Sequence, residues 1–185
     1  MAKDGYKIRN PKGIYFLSFA VVQWLDVFTK PEYAQIIIVS LKYCQTKKGL
    51  NLYAWCLMSN HLHLICSSQH GDLSSTLRDF KSFTSKEIIK AIQSNVKESR
   101  KDWMLWLFKN AGLNNSRNTK FQFWRQDNQP KELLPDLNSF ALQKLHYIHN
   151  NPVVAGLVDY AEEYKYSSAR NYAGKHGLIE VLLYE

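Results

Sequence analysis

The sequence predicts an α+β fold, a ferredoxin-like antiparallel sheet in the order βαββαβ followed by an added C-terminal helix. Runs of strand length alternate with longer stretches whose apolar residues recur every three or four positions. Two of these runs are separated only by Ser59-Asn60, which indicates a hairpin. The order strand, helix, strand, strand, helix, strand is typical of the split βαβ arrangement.

The first strand and the first helix come directly from local signals. Ile14 to Val22 is a β-branched and aromatic run of strand length. Thr29-Lys30-Pro31-Glu32 has the form of a capping box with Thr29 as the N-cap, so a helix should follow. Gly49 comes after a cationic last turn and should end that helix.

The hairpin and the second helix follow. Leu50 to Met58 and His61 to Ser67 are predicted to be the two strands of the hairpin. Asp72 or Ser74 can cap the next helix. Its apolar spacing places one set of side chains inward: Leu73, Leu77, Phe80 and Thr84. A second set forms an outward stripe: Arg78, Lys81, Ser82 and Ser85.

The remaining chain completes a single domain spanning residues 1–185. The segment at about 94–120 is the least regular and is predicted to be an insertion that contains a helix. Phe121 to Arg125 is the candidate fourth strand. Leu137 to Asn150 has helical periodicity with Leu137, Ala141, Leu145 and Ile148 inward, Pro152 should end it, and residues after 152 form an extension.

His61 and His63 stand at i and i+2 within the third strand, so their side chains share one face of it. Two residues along a strand separate the Cα atoms by roughly 6.6 Å, a span that converging imidazoles can bridge onto one metal ion. The alternative is a pair of histidines on a solvated strand face.

Gln143, Tyr147 and Asn151 are spaced by four and share a face of the last helix. Simpler explanations exist for two of them. Asn151 precedes Pro152 and could cap a short turn. Tyr147 could be a half-buried aromatic whose hydroxyl is hydrogen-bonded.

Composition restricts the class of protein. The hydrophobic share of 45% excludes a disordered chain. The formal net charge is +8, from 24 Lys and Arg against 16 Asp and Glu, so the long-range field favours a polyanion, and nucleic acid is the expected partner.

The expected compartment is the cytoplasm. Cys44, Cys56 and Cys66 show no Cys-x-x-Cys spacing, which predicts core cysteines in a reducing environment. The sequence shows no secretory signal and no apolar run near the ~20 residues that span a bilayer, so no membrane association is expected.

Two segments together resemble the HUH single-tyrosine transposases, in particular their REP-associated branch. They are residues 57–65 (LMSNHLHLI) and residues 147–158 (YIHNNPVVAGLV). Tyr166-Ser167-Ser168 resembles the same branch. Ser59 stands where a proline is common in that family.

This resemblance implies an HUH endonuclease fold and a single-stranded DNA endonuclease and strand transferase. The partner would be single-stranded DNA that forms hairpins, and the protein would be a monomer or a homodimer. By position, Tyr147 would be the nucleophile, and His61, His63 and Asn151 would hold Mg²⁺ or Mn²⁺. A phenol has a pKa near 10, and a cation that polarises the phosphate would help it attack. The general base stays open between His149, water and a carboxylate.

Six basic residues are candidates for DNA contact: Arg78, Lys81, Arg117, Lys120, Arg125 and Lys144. Arg117 and Lys120 lie in the predicted insertion, where cations interleave with aromatic residues, a pattern that suits a single strand. Two simpler explanations remain. The basic residues of the second helix could form an ordinary solvated face, and the tryptophans of the predicted insertion could be core residues.

Four other functions compete with the transposase hypothesis. They are a metallonuclease in which water attacks, a replication initiator or relaxase, a non-catalytic DNA-binding protein, and a structural zinc domain. The initiator is disfavoured because the chain shows no helicase segment and no second tyrosine four residues from Tyr147. The zinc domain would use His61, His63 and the flanking Cys56 and Cys66.

Overall fold

The computed structural model describes residues 8–115, 120–126, 129–133 and 139–184. Leu137, the predicted first residue of the last helix, lies outside these ranges. The regular elements are β1 (Ile14–Ala20), α1 (Pro31–Lys48), β2 (Leu50–Leu57), β3 (His61–Ser68), α2 (Leu73–Ser94), α3 (Lys101–Leu113), β4 (Lys131–Leu133), α4 (Ser139–Val154) and α5 (Ala169–Tyr172).

The described strands form one antiparallel sheet in the order β2-β3-β1-β4. The backbone N–H of Met58 donates to the carbonyl oxygen of His61 at 2.8 Å, which closes the two-residue turn Ser59-Asn60. β1 lies in the middle, paired with β3 on one side and β4 on the other. The predicted ferredoxin-like fold with an added helix is therefore confirmed.

The sheet is covered on both faces, and β3 contributes to both cores. Leu62 and Leu64 point into the larger core, which α1 and α2 cover. Ile65 points into a smaller core that includes Leu145 and Ile148 of α4. His61 and His63 alternate with Leu62 and Leu64, so they lie on the α4 side of the sheet.

The prediction that Phe121 to Arg125 form the fourth strand is wrong. Trp124 makes a single antiparallel bridge to Val21 just beyond β1, and the pairing strand at this edge is β4. Phe123 and Trp124 are both buried in the larger core. Successive side chains of a regular strand point to opposite faces, so burying two neighbours in one core is incompatible with a strand at this point.

The helix starts partly differ from the predictions. Thr29 does not cap α1: its Oγ1 donates to the carbonyl oxygen of Asp26 at 3.4 Å, and Lys30 occupies the cap position. Gly49 ends α1 as predicted, in the left-handed conformation with φ 61°. Asp72 precedes α2, but its carboxylate accepts a hydrogen bond from Ser68 Oγ at 2.6 Å and does not cap the helix.

α4 continues through Pro152 to Val154, so the prediction that it stops before the proline is wrong. Proline removes one helical N–H, but Pro152 lies in the last turn, where the loss is confined to one bond. The N–H of Ala155 still donates to the carbonyl oxygen of Asn151 at 3.0 Å. Asn151 therefore lies inside the helix, one turn from Tyr147, and is not a cap.

α3 lies in the segment predicted as an insertion and packs against α2. Met104 and Phe108 are buried, whereas Trp103 and Trp106 are exposed. The explanation of these tryptophans as core residues is therefore wrong. Gly112 is required by close packing, because a Cβ there would meet the carbonyl oxygen of Lys120 at 2.6 Å.

The segment Tyr166–Ser168 lies along the free edge of β2. Ser167 forms an antiparallel bridge with Cys56, and Leu57 N–H donates to the carbonyl oxygen of Tyr166 at 2.8 Å. These residues cover an edge that would otherwise expose unpaired backbone groups. The Tyr166-Ser167-Ser168 segment, which resembles the transposases, therefore has a structural role at the edge of the sheet.

The three cysteines are buried and unpaired in disulfides, as predicted. Among the described helices, none has the length and apolarity needed to cross a bilayer.

Candidate functional site

The histidine pair lies beneath α4 and is not solvated. His63 is only 4% exposed, and His61 is partly buried. The ring centroids of the two imidazoles are 4.7 Å apart. The phenyl ring of Phe16 on β1 stacks on His63 with a centroid separation of 5.6 Å. The alternative of two histidines on a solvated strand face is therefore wrong.

Both imidazoles are uncharged near neutral pH. Burial lowers the pKa of His63 to about 3, and the positive charges of His61, when it is protonated, and of Lys144 lower it further. Burial also lowers the pKa of His61, although the carboxylate of Asp26 opposes that change. Neutral imidazoles keep the nitrogen lone pair that a metal ion requires.

The side-chain amide of Asn60 determines the tautomer of His61. Its Nδ2 donates to the carbonyl oxygen of Trp24 at 3.1 Å and to Asp26 Oδ1 at 2.9 Å, so its Oδ1 faces the imidazole. His61 Nδ1 lies 2.7 Å from that oxygen. An amide oxygen only accepts hydrogen bonds, so Nδ1 carries the proton and Nε2 keeps its lone pair.

The two ring nitrogens of His63 have no hydrogen-bond partner within the part of the chain that the structure describes. A buried polar atom without a partner costs free energy, so such a group normally serves a ligand or a reaction. A divalent cation shared with His61 would satisfy His63. The residues present therefore fit the metal implied by the sequence.

Tyr147 extends from α4 over this pair. Its ring centroid lies 5.2 Å from that of His63 and 6.1 Å from that of Phe16. The residue is 48% exposed, so its ring reaches solvent while it contacts the buried imidazole. The Nζ of Lys144, one turn earlier on α4, lies 5.4 Å from the Tyr147 ring centre. The structure thus places Tyr147, half-exposed, beside the histidine pair.

A third ligand would come from α4. No His, Cys, Asp or Glu joins the pair to make a group of three in the described ranges. Asn151 is partly buried and shares the helix face of Tyr147, four residues earlier. Its amide oxygen suits Mg²⁺ or Mn²⁺ better than zinc.

A structural zinc site that includes the cysteines is contradicted. Cys66 belongs to the larger core, on the face of the sheet opposite the histidines. Burial raises the pKa of Cys56 to about 12, so its thiol stays protonated and is a poor ligand. No cluster of three histidines and cysteines exists in the described structure.

His149, one of the candidates for the general base, links α4 to the sheet through Ser168. Its Nε2 lies 2.9 Å from Ser168 Oγ, and that hydroxyl also contacts the backbone of Trp55 on β2. Two residues along a helix correspond to about 200°, so His149 points away from the face that carries Tyr147. Burial lowers its pKa to about 4. These contacts join α4 to the sheet and disfavour His149 as the base.

Comparison with known families identifies the domain that carries the histidine pair. Residues 19–108 match the model of the IS200-like transposases. This stretch of the chain is similar to the IS200-like transposases. The matched residues include β2, β3 and both histidines but end before α4, so the match does not include Tyr147 or Asn151.

The whole fold has a solved counterpart. A structure described as a REP-associated tyrosine transposase bound to a REP hairpin superimposes with a TM-score of 0.64 at 17% sequence identity. The similarity covers 100% of this chain and 94% of the other. A search of curated protein sequences found no significant match.

The predicted basic residues that the structure describes fall into three places. Arg78, Lys81 and Lys120 line one groove of about 610 Å³ between α2 and the segment 120–126. Lys86 and Lys90 add two more cations, and no carboxylate is among the described lining residues. The structure thus brings three of the six predicted residues into one positive groove.

The other three predicted residues lie elsewhere. Arg125 adjoins the groove, since Lys81 Nζ donates to its carbonyl oxygen at 3.2 Å. Lys144 lies beside Tyr147, away from the groove. Arg117 lies outside the described residues. Lys81 is only partly exposed, and burial lowers its pKa to about 8, so it is not part of an ordinary solvated face.

Three residues of the candidate site were not predicted from the sequence. Phe16 stacks on His63, Asn60 orients His61, and Trp24 lies edge-on to His61 with ring centroids 5.7 Å apart. Asn60 directly precedes His61, and that adjacency is a usable signal. Phe16 and Trp24 carry no signal, because their roles depend on which strands and loops meet in space.

Proposed function

We propose that this chain is a metal-dependent single-stranded DNA endonuclease and strand transferase that acts in transposition through a covalent 5′-phosphotyrosine intermediate. One observation carries the proposal: the ring of Tyr147, half-exposed, lies 5.2 Å from the ring of His63, whose buried nitrogens have no partner in the described chain. We further propose that residues 1–185 form one such domain, with an insertion at about 94–120 and an extension after 152.

Tyr147 is the proposed nucleophile. Its phenol oxygen would form a bond to phosphorus while the bond from phosphorus to the 3′ oxygen breaks. The phenol loses its proton, and the departing 3′ oxygen gains one to become a hydroxyl. The phosphodiester is exchanged rather than hydrolysed, so a second 3′-OH can reverse the step onto another strand without ATP. This fits the absence of a Gly-rich phosphate loop from the sequence.

His61, His63 and Asn151 are the proposed ligands for Mg²⁺ or Mn²⁺. A bound cation would polarise a non-bridging phosphate oxygen and offset the charge that develops during attack. The protein contributes neutral imidazoles, a fixed tautomer of His61 and a rigid helix that holds Asn151 one turn from Tyr147.

Lys144 is proposed to attract the phosphate to the nucleophile. Its ammonium group lies 5.2 Å from the ring centres of Phe16 and Phe140 and 5.4 Å from that of Tyr147. These contacts hold a positive charge beside the phenol. A phosphate would be attracted there.

A denaturing gel tests the function. We expect a labelled single-stranded DNA hairpin incubated with protein and Mn²⁺ to give a shorter product and a protein-linked species that survives denaturation. Cleavage without a protein-linked species would favour the metallonuclease in which water attacks. Binding without cleavage would favour a non-catalytic DNA-binding protein, and either result would contradict the proposal.

Salt dependence tests how the DNA is held. The groove lined by Arg78, Lys81 and Lys120 should bind phosphates, so log K should fall against log salt with a slope of about −0.7 for each phosphate neutralised. Arg78→Ala should make that slope shallower by about 0.7. Anisotropy titrations at several salt concentrations measure both slopes. A flat response, or equal affinity for blunt duplex and hairpin, would contradict this mode of binding.

A further inference from the structure

Trp24 combines backbone strain with an exposed side chain. Gln23 and Trp24 have φ angles of 57° and 54°, the left-handed region that residues other than glycine rarely adopt. Trp24 is nevertheless 51% exposed, so its indole is not held there by burial. A strained, exposed aromatic residue that contributes little to a core is a candidate for binding.

The surrounding contacts impose this conformation and place the indole beside the histidine pair. Trp24 N–H donates to the carbonyl oxygen of Val21 at 3.0 Å, and its own carbonyl accepts from Asn60 Nδ2 at 3.1 Å. The indole meets the imidazole of His61 edge to face, with centroids 5.7 Å apart. One amide, that of Asn60, therefore positions both Trp24 and His61.

A continuous path joins this indole to the positive groove. The guanidinium of Arg125 lies 5.4 Å from the centre of the Trp24 ring, and the carbonyl oxygen of Arg125 accepts a hydrogen bond from Lys81 Nζ. Lys81 lines the groove. A strand whose phosphate lies at the histidines and whose backbone continues toward the groove would therefore pass Trp24.

We propose that Trp24 is a stacking platform for a nucleobase of single-stranded DNA next to the phosphate held at the histidine pair. The inference rests on the proposed function. An indole offers a flat surface to any base, and the adjacent guanidinium reinforces stacking and attracts the backbone. Only an unpaired base can reach such a surface, so Trp24 would also help the site to select single strands.

Two strands separate base contacts from phosphate contacts. One is fluorescein-labelled oligo-dT of about 12 nucleotides, and the other has the same phosphates with abasic spacers throughout. Binding is measured by anisotropy in the full-length Tyr147→Phe chain, so that the strand is not cut. Trp24→Ala should weaken oligo-dT binding about five- to 100-fold and leave the abasic strand unaffected, whereas Trp24→Phe should keep most of the affinity.

Two further variants serve as controls for loss of stability and for loss of an exposed aromatic residue elsewhere. Trp24→Gly removes the indole but suits the left-handed backbone, so it should lose the same affinity for oligo-dT while melting at the wild-type temperature or above. Tyr43→Ala removes a comparably exposed aromatic residue from α1 and should bind oligo-dT like the parent.

Each outcome decides between distinct conclusions. Equal losses on the two strands, or no loss on oligo-dT, would overturn the stacking role while the proposed function stands. Failure of the parent chain to bind oligo-dT and the abasic strand would overturn the proposed function itself, and the stacking role with it.

Discussion

Replacement of Tyr147 by phenylalanine is expected to abolish the covalent DNA adduct and to slow cleavage by about 10³-fold or more, because the change removes the proposed nucleophile. The ring contacts with His63 and Phe16 need no hydroxyl, so the fold, Mn²⁺ binding and DNA affinity should persist. Denaturing gels measure cleavage, and mass spectrometry of the nuclease-treated wild-type adduct should identify the peptide that contains Tyr147.

Tyr160→Phe is the matched control, because Tyr160 is also exposed but lies beyond α4. This variant should cleave like the wild type. Two other tyrosines are poor candidates, since the hydroxyls of Tyr164 and Tyr172 donate to the carbonyl oxygens of Leu57 and Tyr53, and burial raises both pKa values. Wild-type cleavage by Tyr147→Phe without an adduct elsewhere would leave the water-nucleophile alternative.

Replacement of His63 by leucine should separate activity from stability. Cleavage and Mn²⁺ affinity should fall by at least about 100-fold. Mutation of a residue that only hydrogen-bonds to a metal ligand already lowers metal affinity or activity about 10- to 100-fold. In EDTA at pH 7, the free energy of unfolding should rise by about 1 kcal/mol, because leucine removes two buried nitrogens that lack partners. Titration calorimetry and urea unfolding measure these effects.

The difference in free energy of unfolding between His63→Leu and the wild type should increase as the pH falls. Burial lowers the pKa of His63 to about 3, whereas the unfolded chain takes up this proton near pH 6.5. Below pH 6.5 the unfolded state therefore binds more protons, and wild-type stability decreases by about 2 kcal/mol between pH 7 and pH 5. The leucine variant lacks this term.

His176→Ala is the control, since His176 is fully exposed and lies far along the chain from the histidine pair. It should change neither the pH dependence nor cleavage. Full cleavage by His63→Leu would contradict the metal site. A large loss of its stability at pH 7 would indicate instead that His63 serves the fold.

The hairpin shows where sequence reasoning succeeds. The strand lengths, the two-residue turn Ser59-Asn60 and the shared face of His61 and His63 all follow from alternation along the chain. The same holds for the buried residues of α2 and for Gly49, because each depends on local spacing or backbone preference.

Two errors arose where tertiary packing overrides local preference. Pro152 is a strong local signal for a helix end, but it is buried and α4 continues past it to Val154. Phe121 to Arg125 has the composition of a strand, yet the larger core takes both Phe123 and Trp124. At Pro152, the free energy gained by burying apolar surface outweighs the loss of one helical hydrogen bond. At Phe123 and Trp124, it outweighs the preference of these residues for a regular strand.

The sequence by itself determined the fold class, the histidine pair and the four-residue spacing of Tyr147 and Asn151, since periodicity along a strand or helix decides which side chains share a face. Only the tertiary structure decided that α4 covers the histidine face, that Asn60 orients His61, that His149 joins α4 to the sheet, and that Trp24 lies beside the pair. These contacts join residues distant in the chain, and their geometry depends on how sheet, helix and loop pack together.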